Sequence, residues 1–162
     1  MVKEFTEKDI SKLKLEDILS FAAKSEIEAQ HLYEKISKIN RDASLETLVD
    51  RLIDEEKSHE RKIRSMFNDF FPEKEIGEFD VDKDDFSDIT EIKDEDNGVK
   101  EDNGVKALLE IAIEKEKRAS EFYRTLSEEV DDKDAVSNLL SYLAYMENEH
   151  HSLLQKELSG RK

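Results

Sequence analysis

A repeat in the spacing of apolar residues constrains this chain more than any other feature. Four stretches can each be written with one stripe of residues at alternating steps of three and four. The first is Leu19, Ala22, Glu26, Ala29, Tyr33, Ile36, and the third is Leu109, Ala112, Glu116, Ala119, Tyr123, Leu126. These agree position by position at a constant offset of 90. The second is Val49, Leu52, Glu56, His59, Ile63, and the fourth is Leu140, Leu143, Glu147, His150, Leu154, matched at an offset of 91. A mean step of about 3.5 residues is the seam of a left-handed helical bundle, where one face of each helix turns towards its neighbours. The chain therefore reads as two helical hairpins of one pattern, each with a short turn that makes its helices antiparallel.

The spacing predicts helices over about 15–39, 44–70, 105–130 and 134–158, all within one domain spanning 1–162. Asp, Ser or Asn stands near the last three starts, while Pro72 and Gly160 follow two of the ends, as capping chemistry requires. Composition agrees. With 42% charged residues, 36% hydrophobic residues, one proline and four glycines, the chain suits long amphipathic helices and fits a β-rich fold poorly. That much charge is also compatible with disorder, but only where apolar periodicity is missing.

Between the hairpins lies an acidic connection, residues 71–104. It carries a tandem hexapeptide, Glu95 to Lys100 repeated as Glu101 to Lys106. A 25-residue helix is roughly 38 Å long, and this segment is ample to return along the bundle as a long crossover. Asp80, Asp82, Asp84, Asp88 and Glu91 fall at five positions of a calcium-loop pattern, but Asp85 stands where the sharp turn normally needs glycine. Acidic linkers generate such matches easily, so the segment is expected to be slack and without a function of its own.

A net charge of −16 opposes binding to nucleic acid, which demands a basic face, and would attract cations. No apolar run approaches 18 residues, and the first residues are charged from Lys3 onwards. The expectation is a soluble, cytoplasmic protein without membrane contact. The chain has no cysteine, which excludes disulfides, thiolate metal sites and iron–sulfur clusters within it.

The stripes also contain six ionisable residues: Glu26, Glu56, His59, Glu116, Glu147 and His150. Burying an unpaired carboxylate costs several kcal/mol, so a stable bundle does not place four of them inward idly. Two divalent cations answer the problem, because their charge balances that of four carboxylates and two neutral imidazoles. Glu and His at i and i+3 share one side of a helix, so each Glu-x-x-His pair can approach one centre. Mixed carboxylate and imidazole ligation suits iron or manganese. The spelling alone is weak: Glu28-x-x-His31 has it too, on the outward face of the first helix. His151, one position off its stripe, is expected to be solvated.

One Glu from each of two helices with Glu-x-x-His from each of the others resembles the di-iron carboxylate set of all-α, ferritin-like antiparallel four-helix bundles. Glu26 with Tyr33, Glu116 with Tyr123, and the stretches Glu55-Glu56-Lys57-Ser58-His59 and Ala112-Ile113-Glu114-Lys115-Glu116 resemble the rubrerythrin branch. The resemblance covers the four helices but not the linker. It implies that Glu56 and Glu147 bridge two iron ions, that Glu26 and His59 serve one and Glu116 and His150 the other, with manganese or zinc as possible substitutes. Tyr33 and Tyr123 are expected to hydrogen-bond the buried carboxylates.

Two features depart from the family. Its C-terminal rubredoxin module needs cysteines, absent here, and its additional glutamate one turn beyond the third-helix ligand is replaced by Ala119. The first removes a built-in electron donor; the second puts in doubt the metal shift that accompanies peroxidase turnover in the family. The resemblance then implies a di-iron oxidoreductase reducing hydrogen peroxide or dioxygen, served by an external electron-donor protein and assembled as a homodimer. Ferrous iron oxidation with storage is the alternative, and a non-catalytic structural bundle the third reading.

Overall fold

The computed structural model describes residues 14–77, 98–130 and 134–161. They form four helices: α1 (Leu15–Ile39), α2 (Ala43–Phe70), α3 (Gly98–Glu129) and α4 (Asp134–Ser159). The calcium-like pattern from Asp80 to Glu91 and the first hexapeptide copy up to Asn97 lie outside the described residues. Among those described, no helix is long and apolar enough to cross a membrane.

The turn from α1 to α2 shows how local chemistry sets direction. Asn40 accepts from the Asp42 backbone N–H at 3.0 Å, and its side-chain amide donates to the Asp42 carbonyl at 2.7 Å. Asp42 then caps α2 by accepting from the Ser44 N–H at 2.9 Å. So short a turn returns α2 antiparallel along α1. α3 packs on α4 in the same way, and the hairpins meet through α1 with α3 and α2 with α4. Cross-helix partners give the directions. Tyr33 reaches Glu116 while Tyr123 reaches Glu26, so α1 and α3 are antiparallel. α2 and α3 consequently run parallel, which is why their connection has to return along the length of the bundle.

Helix α3 begins at Gly98 rather than at 105, so the connection is shorter than the expected 71–104 and its last residues are helical. Asn103-Gly104 suggested a boundary, but Gly in a helix interior costs only about 1 kcal/mol relative to Ala. It forces a turn only where the backbone needs a positive φ. The start of the connection is also tied down. Phe71 and Ile76 pack on the bundle core, and the Lys74 ammonium lies 2.7 Å from the Glu16 carboxylate.

The core is divided in two. At one end Leu19, Ala22, Ile63, Phe67, Leu126, Leu140 and Leu143 pack together; at the other Ile36, Leu45, Val49, Leu52, Leu109 and Leu154 do. Every stripe residue is buried except Ala119, which is half-buried. Between the two apolar layers lies a polar one.

Candidate metal centre

The polar layer consists of the six ionisable stripe residues. Glu26 on α1, Glu56 and His59 on α2, Glu116 on α3, and Glu147 and His150 on α4 are each at most 1% exposed. They are there because a step of seven residues returns to the same helix face, so apolar neighbours one or two turns away carry them inward. Ligand atoms of Glu26, Glu56, His59 and Glu147 lie within 4.8 Å of one another, and so do those of Glu56, Glu116, Glu147 and His150. The two groups share Glu56 and Glu147.

Five inward-facing atoms in this layer have no hydrogen-bond partner: Glu26 Oε2, Glu56 Oε1, Glu116 Oε2, Glu147 Oε2 and His150 Nδ1. They are crowded nonetheless. His59 Nδ1 is 3.2 Å from Glu147, 3.4 Å from Glu56 and 3.5 Å from Glu26. His150 Nδ1 is 2.9 Å from Glu56, 3.3 Å from Glu147 and 3.8 Å from Glu116. Buried polar atoms are nearly always paired in proteins. A cluster of unpaired, convergent lone pairs is therefore a donor set, and carboxylate oxygens with imidazole nitrogens fit a divalent first-row cation.

Without a cation the charges are balanced by protons. Burial, with repulsion from Glu26 and Glu116, pushes the Glu56 carboxyl up to about 8. Burial, Glu116 and Glu26 push Glu147 well above the usual carboxylate range. Burial also opposes ionisation of Glu26 and Glu116, but contacts with His59 and Glu56 for the first, and with Glu147 and His150 for the second, more than offset it. Both are held below the usual value. Burial disfavours the imidazolium of His59, yet Glu147, Glu26 and Glu56 raise it to about 12; burial also disfavours that of His150, yet Glu116, Glu147 and Glu56 push it well above the usual imidazole range. A metal would need neutral imidazoles and ionised carboxylates, so its entry would expel protons.

The tyrosines cross between the hairpins. Tyr33 donates its hydroxyl to Glu116 Oε1, and Tyr123 donates to Glu26 Oε1 at 2.7 Å. Each therefore occupies one oxygen of a carboxylate and leaves the other, Oε2, unpaired and facing the centre. Burial and the adjacent carboxylates push both phenols well above their ordinary range, so each stays a neutral O–H donor. Neither tyrosine pairs with the glutamate of its own helix, which lies seven residues and roughly 10.5 Å away along the axis.

Glu55 is the neighbour that sequence reasoning missed. It lies one position before Glu56, a quarter exposed, and accepts from His150 Nε2 at 2.5 Å while Arg51 Nε donates to its other oxygen at 2.9 Å. The i, i+4 spacing of Arg51 and Glu55 was visible, but the contact across to α4 depends on helix register. His31 is exposed, and Glu28 instead pairs with Lys115 at 3.2 Å. His151, expected to be solvated, is half-buried and belongs to neither ligand group.

A helical bundle of two hairpins with a buried carboxylate and imidazole layer across its middle defines a ferritin-like protein. The rubrerythrin family model matches residues 17–103 and 107–162, and the chain belongs to that family. The match runs through much of the connection, beyond the four helices. A solved structure of a hypothetical protein from Pyrococcus furiosus is similar, with a TM-score of 0.75 and 26% sequence identity, covering 96% of this chain and 94% of that one. No curated protein matches the chain.

Proposed function

We propose that the polar layer holds two iron ions and that the protein reduces hydrogen peroxide or dioxygen with electrons from an external donor. The observation that carries this reading is the set of five unpaired inward atoms, distributed over two ligand groups that share Glu56 and Glu147. Glu26 and His59 would serve one ion, Glu116 and His150 the other, with the two shared carboxylates between them. When bound, a ferrous pair supplies two electrons, one from each ion, which with two protons convert hydrogen peroxide to two waters.

The chain's own residues set the conditions for that chemistry. Tyr33 and Tyr123 fix the rotamers of Glu116 and Glu26 through one oxygen each and aim the other inward. The two apolar layers keep bulk water from the centre, so the charges inside interact strongly. Electrons must come from elsewhere, because these 162 residues contain no cysteine for an iron–thiolate donor. A separate donor protein, a homodimeric assembly and a cytoplasmic setting belong to the same proposal.

The test is anaerobic ferrous loading followed by rapid mixing with oxidant. The reading expects about two irons per chain, stoichiometric oxidation by hydrogen peroxide faster than by air, and repeated turnover once an external reductant is supplied. Oxidation of many ferrous ions per chain, with ferric mineral retained in a large assembly, would replace it with iron storage. Full iron occupancy and no reaction with either oxidant would leave a structural bundle.

A further inference from the structure

The two halves of the centre match in the layer itself and differ just behind it. Tyr33 on Glu116 has its counterpart in Tyr123 on Glu26, as the offset of 90 requires. Behind the histidines that correspondence ends. The Nε2 of His150 sits 2.5 Å from Glu55, whose other oxygen is held by Arg51 at 2.9 Å. At the offset of 91, Glu55 corresponds to Met146 and Arg51 to Tyr142. A thioether offers no charged acceptor. The Tyr142 ring instead meets His59 in a T-shaped contact, with centroids 5.9 Å apart at 85°. Lys62 stands 4.3 Å over that ring and donates to its hydroxyl at 3.2 Å. One histidine is thus backed by a carboxylate and the other by a neutral aromatic ring that carries a cation.

This difference bears on how each imidazole binds a cation. With its hydrogen on Nε2 donated to Glu55, His150 presents the Nδ1 lone pair to the centre in a fixed ring orientation. The anionic partner also makes that nitrogen a stronger donor to a metal. Arg51 holds Glu55 in place from the solvent side, where its own side chain is 59% exposed. On the other side, the neutral Tyr142 ring and the Lys62 ammonium supply no anionic acceptor and add nothing to the donor strength of His59. Loss of such an outer partner typically costs about 10–100-fold in metal affinity.

We propose that the two cation positions are unequal: the His150–Glu116 position binds tightly and fills first, the His59–Glu26 position is the weaker and exchangeable one, and Glu55 is the positioning residue that sets the difference. This inference rests on the reading that the six side chains hold two divalent ions.

Anaerobic titration of the metal-free protein with Co²⁺, followed by visible absorption and calorimetry, tests it. The wild type should take up two ions in steps separated by about 10–100-fold. Glu55→Ala should weaken the first step by about that factor, leave the second unchanged and so bring the two together. Arg51→Ala, which frees Glu55 without removing it, should give a smaller shift of the same step. After one equivalent of Co²⁺, proton NMR should show one slowly exchanging, hyperfine-shifted imidazole N–H, and Glu55→Ala should abolish its slow exchange. Circular dichroism checks that the variants stay helical; Glu55→Gln, which keeps an acceptor but no charge, serves if the alanine variant does not fold. Two equal steps in the wild type, or equal weakening of both steps by Glu55→Ala, would overturn the inference alone. No Co²⁺ uptake by the wild type would overturn the two-cation reading beneath it as well.

Discussion

The polar middle layer and the apolar layers on either side of it are built from the same helix stripes and face opposite energetic problems. In the outer layers, Leu19, Leu52, Leu140 and Leu143 are fully buried among other apolar side chains. Each contributes by leaving water and filling space, and needs no partner of its own charge or shape beyond close packing. In the middle layer, four carboxylates and two imidazoles are as deeply buried, with five of their polar atoms unpaired. Desolvation there opposes folding, and without a cation it is met only by shared protons and close ion pairs. The outer layers therefore hold the bundle together, whereas the middle layer is carried by them.

Metal content is where the two kinds of layer should differ most. Glu56 belongs to both four-residue ligand groups, whereas Glu26 belongs to one. Glu56→Ala should reduce metal from about two ions per chain to less than about half an ion, while Glu26→Ala should retain about one. Elemental analysis after anaerobic loading and desalting decides it. Retention of both ions by Glu56→Ala would show that the layer is not where cations are held.

A second prediction concerns the sign of stability changes in the metal-free protein. Leu140→Ala empties part of a packed layer and should cost about 2–5 kcal/mol. Glu147→Leu removes a buried carboxyl whose ionisation is opposed by burial, Glu116 and Glu26, and supplies apolar volume in its place. Because that carboxyl is held neutral, its removal takes no ionised partner from the imidazoles, so it should leave stability unchanged or cost well under the loss for Leu140→Ala, whereas removing an ionised partner would cost about 3–5 kcal/mol. Denaturant unfolding of both variants measures the contrast. A loss for Glu147→Leu as large as that for Leu140→Ala would mean that the middle layer stabilises the fold by itself.

How much of this was legible in the sequence follows from the same physics. The six inward ionisable residues could be read because apolar neighbours at steps of three and four fix the face on which Glu26 or His150 must lie. The hairpin pattern could be read because the two halves repeat. What lay beyond reach depended on register between helices. Tyr33 serves Glu116 rather than its own-helix partner Glu26, and Glu55 reaches His150 from one position off the stripe. No spacing within α2 announces a contact with α4. The start of α3 was misplaced for a different reason: Asn-Gly is a turn signal only when the backbone takes a positive φ, and a growing helix can absorb it.

A substitution that should change almost nothing shows what makes a Glu-x-x-His pair a ligand pair. Glu28 and His31 have the same spelling as Glu56 and His59, the same helical setting and the same local spacing. They differ in the face they occupy. Glu28 follows Glu26 by two residues, a rotation of about 200° around the helix, which takes it off the stripe that faces the centre. There His31 is exposed to solvent, and Glu28 is paired with Lys115 at 3.2 Å and Lys24 at 4.0 Å, so neither meets a second carboxylate across the bundle. His31→Ala should therefore leave metal content unchanged and shift unfolding stability by no more than about 0.5 kcal/mol, the range of ordinary surface substitutions. Metal analysis and a denaturation curve on this variant, beside His59→Ala, set the two pairs against each other. A loss of metal in His31→Ala comparable to that in His59→Ala would mean that the motif acts by its spacing and not by the layer into which the bundle folds it.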